Sequence, residues 1–326
     1  MCRWQSPRMR ALIRSVLAAL LVAGGLWMGY RAWSGSAAGG RGTLHTHRIG
    51  ASEGDRGHSV SVWMPPGYDT TRTEEYPVLY VQDGEHLFEP DDVPDWRVDE
   101  RLSRLIAENR LPPLLVVGVH SSEQRLREYV PTVPFYLQPD SLRRPTQRQI
   151  GRPRSNAYLQ YLYEDVTMFV RRQYHVDPAA SRTFIAGKGL GGLAALYAAA
   201  KMPFAFGGAA VFSPDWTPGR TGADTAFATA YRDYLAGQRE ALRSSRLYFD
   251  YTTASAERGF TPHRNILTAF LRNPLFSRDR WTVRRLDAAS SEAEWPDRVE
   301  AAVRFLMDAP APEPSSFFQP PAPRRE

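Results

Sequence analysis

Residues 183–192 place a strand-like run, a glycine-rich turn and the start of a helix-like run in direct succession. The apolar residues 183–186 precede GKGLGG at 187–192, and small residues continue to position 200. This order is typical of a nucleophile elbow, G-x-S-x-G, in which a sharp strand-to-helix turn presents a serine hydroxyl. Gly189 occupies the serine position. The sequence therefore predicts that the turn is kept and that its hydroxyl is absent.

The same glycines match a second motif. Gly187, Gly189 and Gly192 spell G-x-G-x-x-G, the dinucleotide fingerprint, whose glycines let a pyrophosphate approach a helix N-terminus. That motif also needs an acidic residue about twenty positions further on, and Asp215 comes late for this role. Dinucleotide binding is therefore the weaker alternative, and an ordinary tight turn is a third interpretation.

Short apolar runs alternate with helical patterns along the middle of the chain. The strand-like runs are 78–82, 114–119, 183–186, 208–212 and 247–251, and the helical patterns include 156–173, 192–201 and 296–307. This alternation predicts an α/β fold with a mostly parallel central sheet and helices on both faces. About 265 residues, 44–308, are enough for one such domain and its core.

Six further segments follow one another in an order that resembles a known family. They are 62–68 (VWMPPGY), 76–88 (YPVLYVQDGEHLF), 96–100 (WRVDE), 112–119 (PPLLVVGV), 125–131 (RLREYVP) and 212–216 (FSPDW). With the elbow, they are similar to the putative-esterase family of α/β-hydrolases, which includes enterochelin esterases, S-formylglutathione hydrolases and bacterial mycolyltransferases. The resemblance covers about residues 60–307 and implies an α/β-hydrolase fold.

The resemblance also places the family's catalytic triad, and this chain departs from it at two of the three positions. The nucleophile position is Gly189, and the histidine position, which opens a run like HNEAAW in the family, is Ser290 of SSEAEW. The acid lies in a loop after the strand that reads RLYFDY at 246–251, where Glu257 is the better candidate and Asp250, inside the strand, the poorer one. The resemblance thus implies a degenerate triad.

The positions of the histidines lead to the same expectation without that alignment. Triad partners in this fold follow the chain order nucleophile, acid, histidine, and no histidine lies beyond His263, only six positions after Glu257. Ser213 is the best serine for a relocated nucleophile, but no histidine is evidently placed to activate it. Cys2, the only cysteine, lies in the N-terminal segment.

The oxyanion hole is expected to survive, because backbone N–H groups form it. One donor comes from the residue after the nucleophile and another from a loop near the N-terminal strands. Leu190 and the turn at Gly84 and Glu85 are the candidates for these donors and for a ligand cleft. A plain polar turn at residues 83–85 is an equally weighted alternative.

The N-terminal residues predict export from the cytoplasm. Four arginines before position 15 precede the apolar run 15–30, which spans roughly 24 Å as a helix. Such a run is a signal anchor or a signal peptide, with small residues at 34–38 suited to cleavage. The positive flank places the globular part outside the cytoplasm, in a bacterial periplasm. We expect residues 1–43 to be this segment and its linker, and 309–326 to be a disordered proline-rich tail.

The net charge of +6 comes almost entirely from arginine, since the chain has only two lysines. One cluster stands out in a predicted loop between residues 119 and 156: Arg143, Arg144, Arg148, Arg152 and Arg154. Such a cluster suits anionic lipid headgroups or acidic envelope glycans, but a flexible, merely solvated loop is the preferred interpretation. We expect no cofactor, because the chain has no zinc-type cysteine spacing and no P-loop, and no nucleic acid outside the cytoplasm.

Three functions follow from the sequence. The main hypothesis is a cell-envelope pseudoesterase that keeps the scaffold and binds a ligand or a protein. The second is an active carboxylic-ester hydrolase or acyltransferase with a non-standard nucleophile. The weaker third is a dinucleotide-binding protein.

Overall fold

The computed structural model describes residues 40–50, 57–88, 96–218, 226–252, 279–286 and 295–308. Contacts divide the chain into residues 1–40 and a compact unit, residues 41–326. The predicted membrane segment, the tail, Glu257, His263 and Ser290 lie outside the described residues. Among the described helices, none combines the length and the apolar character needed to span a membrane.

The eight described strands form one sheet in the order β1-β2-β4-β3-β5-β6-β7-β8. β2 pairs antiparallel with both β1 and β4, and all the other pairs are parallel. The strands are β1 Thr43–Ile49, β2 His58–Met64, β3 Val78–Gln82, β4 Leu115–Val119, β5 Thr183–Lys188, β6 Gly208–Phe212, β7 Arg246–Thr252 and β8 Trp281–Leu286. The predicted mostly parallel sheet is confirmed, and Thr43, the last residue of the predicted linker, is the first residue of β1.

Ten α-helices lie within the described residues. They are α1 Val98–Ala107, α2 Arg125–Tyr129, α3 Thr132–Leu137, α4 Asp140–Ile150, α5 Ser155–Tyr161, α6 Met168–Gln173, α7 Leu190–Lys201, α8 Ala226–Gly237, α9 Arg239–Leu242 and α10 Trp295–Leu306. A π-helical segment, Leu162–Thr167, joins α5 to α6, and short 3₁₀ turns occupy Gly84–His86 and Ala180–Arg182. The predicted helix 156–173 therefore exists but contains this π segment.

The two faces of the sheet are covered by different helices because side chains alternate along each buried strand. Tyr80 and Val117 face a core shared with helices between residues 129 and 242. Val81 and Val116 face the opposite core, shared with α1 and α10. Helices thus lie on both faces, as the sequence predicts.

The prediction of a loop around the arginine cluster is wrong. Arg143, Arg144 and Arg148 belong to α4, whose Thr146 and Ile150 are buried. Pro145 inside this helix and its many arginines hide the apolar periodicity, which explains why the sequence resembles a loop. Arg152 and Arg154 follow in the short connection to α5.

Candidate functional site

The elbow is formed by the end of β5, by Gly189 and by the start of α7. Gly189 has φ 57° and ψ −117°, a conformation that strains every residue with a side chain. Its N–H donates to the Phe212 carbonyl at 2.9 Å, which ties the turn to β6. A Cβ at Gly189 would have no heavy atom of the described residues within 4 Å, apart from its chain neighbours. No described residue therefore fills the space beside this missing side chain.

The neighbouring glycines let β5 and α7 cross closely. A Cβ at Gly187 would lie 2.4 Å from the Gly191 carbonyl oxygen, and one at Gly192 would lie 2.9 Å from the Gly187 oxygen. Real Cβ atoms cannot approach that closely. The glycine pattern thus serves strand–helix packing and turn geometry at the same time.

The turn after β3 lies against the first turn of α7. A Cβ at Gly191 would be 3.0 Å from Asp83 Oδ2 and 3.1 Å from Gln82 Cβ. Gln82 and Asp83, directly before the predicted oxyanion segment, therefore lie against α7, while Gly84 of that segment packs against Gly118 of β4. Leu190 opens α7, and the first-turn N–H groups of a helix have no carbonyl partner within it.

Glu85 places a negative charge next to Ser121, just beyond the end of β4. Its carboxylate accepts hydrogen bonds from the Ser121 hydroxyl and from the Ser121 N–H, the latter at 2.9 Å. Burial raises the pKa of Glu85, but hydrogen bonds from Ser121 and from its own backbone N–H lower it by more. The net shift of the pKa is therefore downward. The Glu85 N–H, a candidate oxyanion donor, thus hydrogen-bonds to the ionised carboxylate of its own side chain.

Asp83 and Arg125 form an ion pair beside this turn that sequence reasoning missed. Arg125 Nε and Nη2 lie 2.6 and 2.8 Å from the two Asp83 carboxylate oxygens. Asp83 has φ 59°, and its N–H donates to the Tyr129 hydroxyl at 3.2 Å. Burial raises the pKa of Tyr129 well above its ordinary value. The segment 125–131, which matches the family pattern, was the only sequence signal that pointed to Arg125 and Tyr129.

On the other side of the elbow, Ser213 is held by a guanidinium. Its hydroxyl accepts from Arg298 Nη2 at 2.9 Å, and its N–H donates to the Asp250 carbonyl at 3.0 Å. Asp250 is fully buried and pairs with the same Arg298. A permanently charged donor cannot take a proton from a serine, so these contacts do not activate Ser213.

Several described histidines have partners away from the elbow. His120 Nε2 lies 2.8 Å from the Ser61 hydroxyl, His58 Nδ1 lies 2.8 Å from the His120 carbonyl, and His175 Nε2 lies 2.9 Å from the Arg72 carbonyl. Within the described part of the chain, no three histidine, cysteine or acidic residues are grouped to hold a metal. Among the described residues, the elbow thus offers the first-turn N–H groups of α7, the nearby Asp83 carboxylate and unoccupied space beside Gly189.

Comparison with known proteins agrees with this architecture. The family model "Putative esterase" matches residues 52–302, which is well over half of the chain. The chain belongs to the putative esterase family. An uncharacterised relative, YbbA of Bacillus subtilis, is 28% identical over 167 residues, which cover 51% of this chain and 58% of that protein.

Solved structures share the fold at low sequence identity. The BES protein from Bacillus cereus has a TM-score of 0.60 and 16% identity over 81% of this chain and 94% of its own. The enterobactin esterase FES from Shigella flexneri has a TM-score of 0.57 and 17% identity, over 82% of this chain and 59% of its own. A ferulic acid esterase has a TM-score of 0.56 and 14% identity, over 82% of this chain and 98% of its own. The aligned region covers less than two thirds of YbbA and of FES.

Proposed function

We propose that this protein is a pseudoesterase of the bacterial cell envelope, which keeps the esterase scaffold and uses its cleft to bind a ligand or a protein. The observation that carries the proposal is Gly189 at the elbow, with a nucleophile's backbone conformation and no side chain. Acyl transfer through this elbow needs an oxygen at that point. Ser290 at the histidine position adds a second loss.

Two contacts around the cleft support inactivity. The Ser213 hydroxyl receives a hydrogen bond from Arg298, so the best substitute serine has a cation where a base is needed. The Glu85 carboxylate has a lowered pKa and lies in the segment of the oxyanion donors. A negative charge in that segment would oppose an oxyanion bound by its N–H groups.

The alternative is an ester hydrolase or acyltransferase with a non-standard nucleophile. Leu190 at the start of α7 favours this alternative, because the backbone donor after the nucleophile position is kept. A serine-reactive fluorophosphonate and p-nitrophenyl acetate and butyrate distinguish the two. We expect no labelling and no hydrolysis above background. Labelling or turnover that Ser213→Ala abolishes would establish the enzyme instead.

An exposed corner between α3 and α4 supports a binding role. Tyr136, Leu137 and Leu142 expose 45%, 56% and 37% of their surfaces, and Arg144 and Arg148 lie exposed on the adjoining helix. Apolar side chains beside arginines suit an anionic lipid surface, since both burial and charge favour contact. We therefore assign anionic lipid as the partner of this corner.

The envelope location rests on the arginine-flanked apolar run at 15–30. Alkaline phosphatase fused to the C-terminus tests it, because that enzyme is active only after export. We expect activity that stays with the membrane fraction. An inactive fusion would overturn the location, and a soluble periplasmic product would show that the signal is cleaved.

Dinucleotide binding remains the weaker alternative. Asp215, the acidic residue that the fingerprint would use, accepts hydrogen bonds from the N–H and hydroxyl of Thr217 at 3.1 and 3.3 Å. A local turn thus accounts for this carboxylate. Intrinsic-fluorescence titration with NAD should give no saturable change, and a saturable change would revive this alternative.

A further inference from the structure

Two histidines of the edge strand β1 converge with a tyrosine of the helical layer. His45 and His47 are alternate residues of a strand and therefore project from the same face. His45 Nδ1 lies 3.3 Å and His47 Nε2 lies 2.6 Å from the hydroxyl oxygen of Tyr174. Two imidazole nitrogens thus lie within hydrogen-bonding distance of one phenolic oxygen, outside the elbow at Gly189.

The surroundings hold the Tyr174 ring in place and leave the two histidines of the edge strand freer to adjust, since His47 is only half-buried. Tyr174, directly after α6, is 8% exposed, so its ring is fixed in the core. The ring of His47 packs edge-on against Phe169, with centroids 4.8 Å apart. His45 is exposed, so its ring can rotate without disturbing the core. The cluster is rigid on one side and adjustable on the other.

We propose that His45, His47 and Tyr174 form a binding site for a divalent transition-metal ion such as Zn²⁺. The ligands are His45 Nδ1, His47 Nε2 and the Tyr174 phenolic oxygen, whose proton passes to solvent as the metal binds, and water completes the coordination. Imidazole nitrogen suits zinc, copper and nickel rather than magnesium or calcium. Zinc with three protein ligands and a water is a common arrangement.

The distances fit this assignment after a small adjustment. Tetrahedral zinc with bonds of about 2.1 Å separates its ligand atoms by about 3.4 Å. The oxygen–nitrogen distance to His45 is 3.3 Å already, and the distance to His47, 2.6 Å, must widen by about 0.8 Å. The two imidazole centroids are 6.3 Å apart and must close to roughly 5 Å, which the exposed His45 ring permits.

The site goes beyond the proposed function because it lies on β1 and Tyr174, outside the elbow. A metal there would link the edge strand to the helical layer. It would stabilise the folded chain in proportion to the metal concentration. The sequence alone does not single out this site, since the H-x-H pair lacks a third ligand nearby in the chain.

Calorimetric titration of Zn²⁺ into the untagged full-length chain, purified in detergent and treated with a chelator, tests the site. We expect one equivalent to bind, with His45→Ala and His47→Ala each weakening the affinity roughly tenfold or more. His86→Ala is the matched control, because His86 lies in the turn after β3. It should leave the affinity unchanged.

Tyr174→Phe keeps the buried ring and removes only the hydroxyl oxygen. It should weaken binding several-fold and reduce the rise in melting temperature that Zn²⁺ causes. Equal or tighter binding by Tyr174→Phe would overturn the role of the hydroxyl as a ligand. Binding that survives in the His45→Ala/His47→Ala double variant, or no saturable binding by the unaltered chain, would overturn the site itself.

Discussion

Arg298 donates to both carboxylate oxygens of Asp250, with Nε 2.8 Å from Oδ2 and Nη2 2.5 Å from Oδ1. Both side chains are almost completely buried, and they join α10 to the end of β7. The same guanidinium reaches the Ser213 hydroxyl. A charged pair thus fixes the strand ends beside the elbow, where an esterase needs a nucleophile, an acid and a histidine.

Breaking this pair should destabilise the fold strongly. We expect Arg298→Met to lower the free energy of unfolding by about 3–5 kcal/mol, because it leaves a buried carboxylate without its counter-charge. The Asp250→Asn/Arg298→Met double variant removes both charges and should be more stable than the single variant. Urea denaturation measures both.

The control for this comparison is Arg144→Met. Arg144 pairs with Asp140 but is 72% exposed, so its loss should change the free energy of unfolding by less than about 1 kcal/mol. If Arg298→Met is as stable as this control, the pair with Asp250 contributes nothing to the fold.

The lowered pKa of Glu85 predicts a pH-dependent contribution to stability. A carboxylate whose pKa is lower in the folded state stabilises the fold above its ordinary pKa of 4.5. That contribution is lost as the pH falls through the folded-state value. The difference in free energy of unfolding between the unaltered chain and Glu85→Gln should therefore be largest near neutral pH and shrink in acid.

Denaturation curves from pH 7 down to about pH 3 check this expectation. A difference that is constant with pH would show that the Glu85 carboxylate is not stabilised by Ser121. Ser121→Ala is the partner control: it should reduce the pH dependence, since it removes one of the hydrogen bonds that lower the pKa.

The corner between α3 and α4 should bind anionic vesicles. We expect residues 41–326 to sediment with phosphatidylglycerol vesicles but not with phosphatidylcholine vesicles, and less so at high salt. Arg144→Glu/Arg148→Glu should weaken binding by at least about tenfold, because each arginine near the surface contributes about 1 kcal/mol. Leu137→Asp should weaken it as well.

Arg97→Glu/Arg243→Glu provides the matched control for the change in net charge. Both arginines are more than half exposed and lie on other elements. If this control variant loses as much vesicle binding as Arg144→Glu/Arg148→Glu does, net charge alone explains the association. Equal binding to neutral vesicles would exclude the electrostatic contribution.

The buried strands were the part of the fold that the sequence predicted best. Residues 78–82 and 208–212 coincide with β3 and β6, because strands buried on both faces are continuous apolar runs. β1 was missed, since its residues are mostly exposed and polar. The α4 helix was missed because Pro145 interrupts its pattern.

The candidate site was only partly predictable for a different reason. The elbow at Gly189 and the turn at Gly84 depend on local glycine patterns, which a sequence displays. The pairs Asp83–Arg125 and Asp250–Arg298 join residues 42 and 48 positions apart. Nothing in the spacing of single charged residues indicates which of them the sheet brings together.

Restoring the hydroxyl at the elbow tests how much of the active site survives. Gly189→Ser and the matched control Gly189→Ala should each lower the free energy of unfolding by about 1–3 kcal/mol, because both place a side chain at φ 57°. No described residue lies close enough to the Cβ position to add a clash to this strain. Neither variant should hydrolyse p-nitrophenyl acetate, since Ser290 supplies no base.

Gly189→Ser/Ser290→His should then give measurable ester hydrolysis, because it restores the nucleophile and the base together. Glu257→Gln in that background should remove the gain if Glu257 is the remaining acid, while Gly189→Ala/Ser290→His should stay inert. Rapid hydrolysis by Gly189→Ser alone would reveal an unrecognised base and contradict the histidine argument. A folded but inactive double variant would mean that the cleft has changed beyond the triad, with the Glu85 charge as the next position to neutralise.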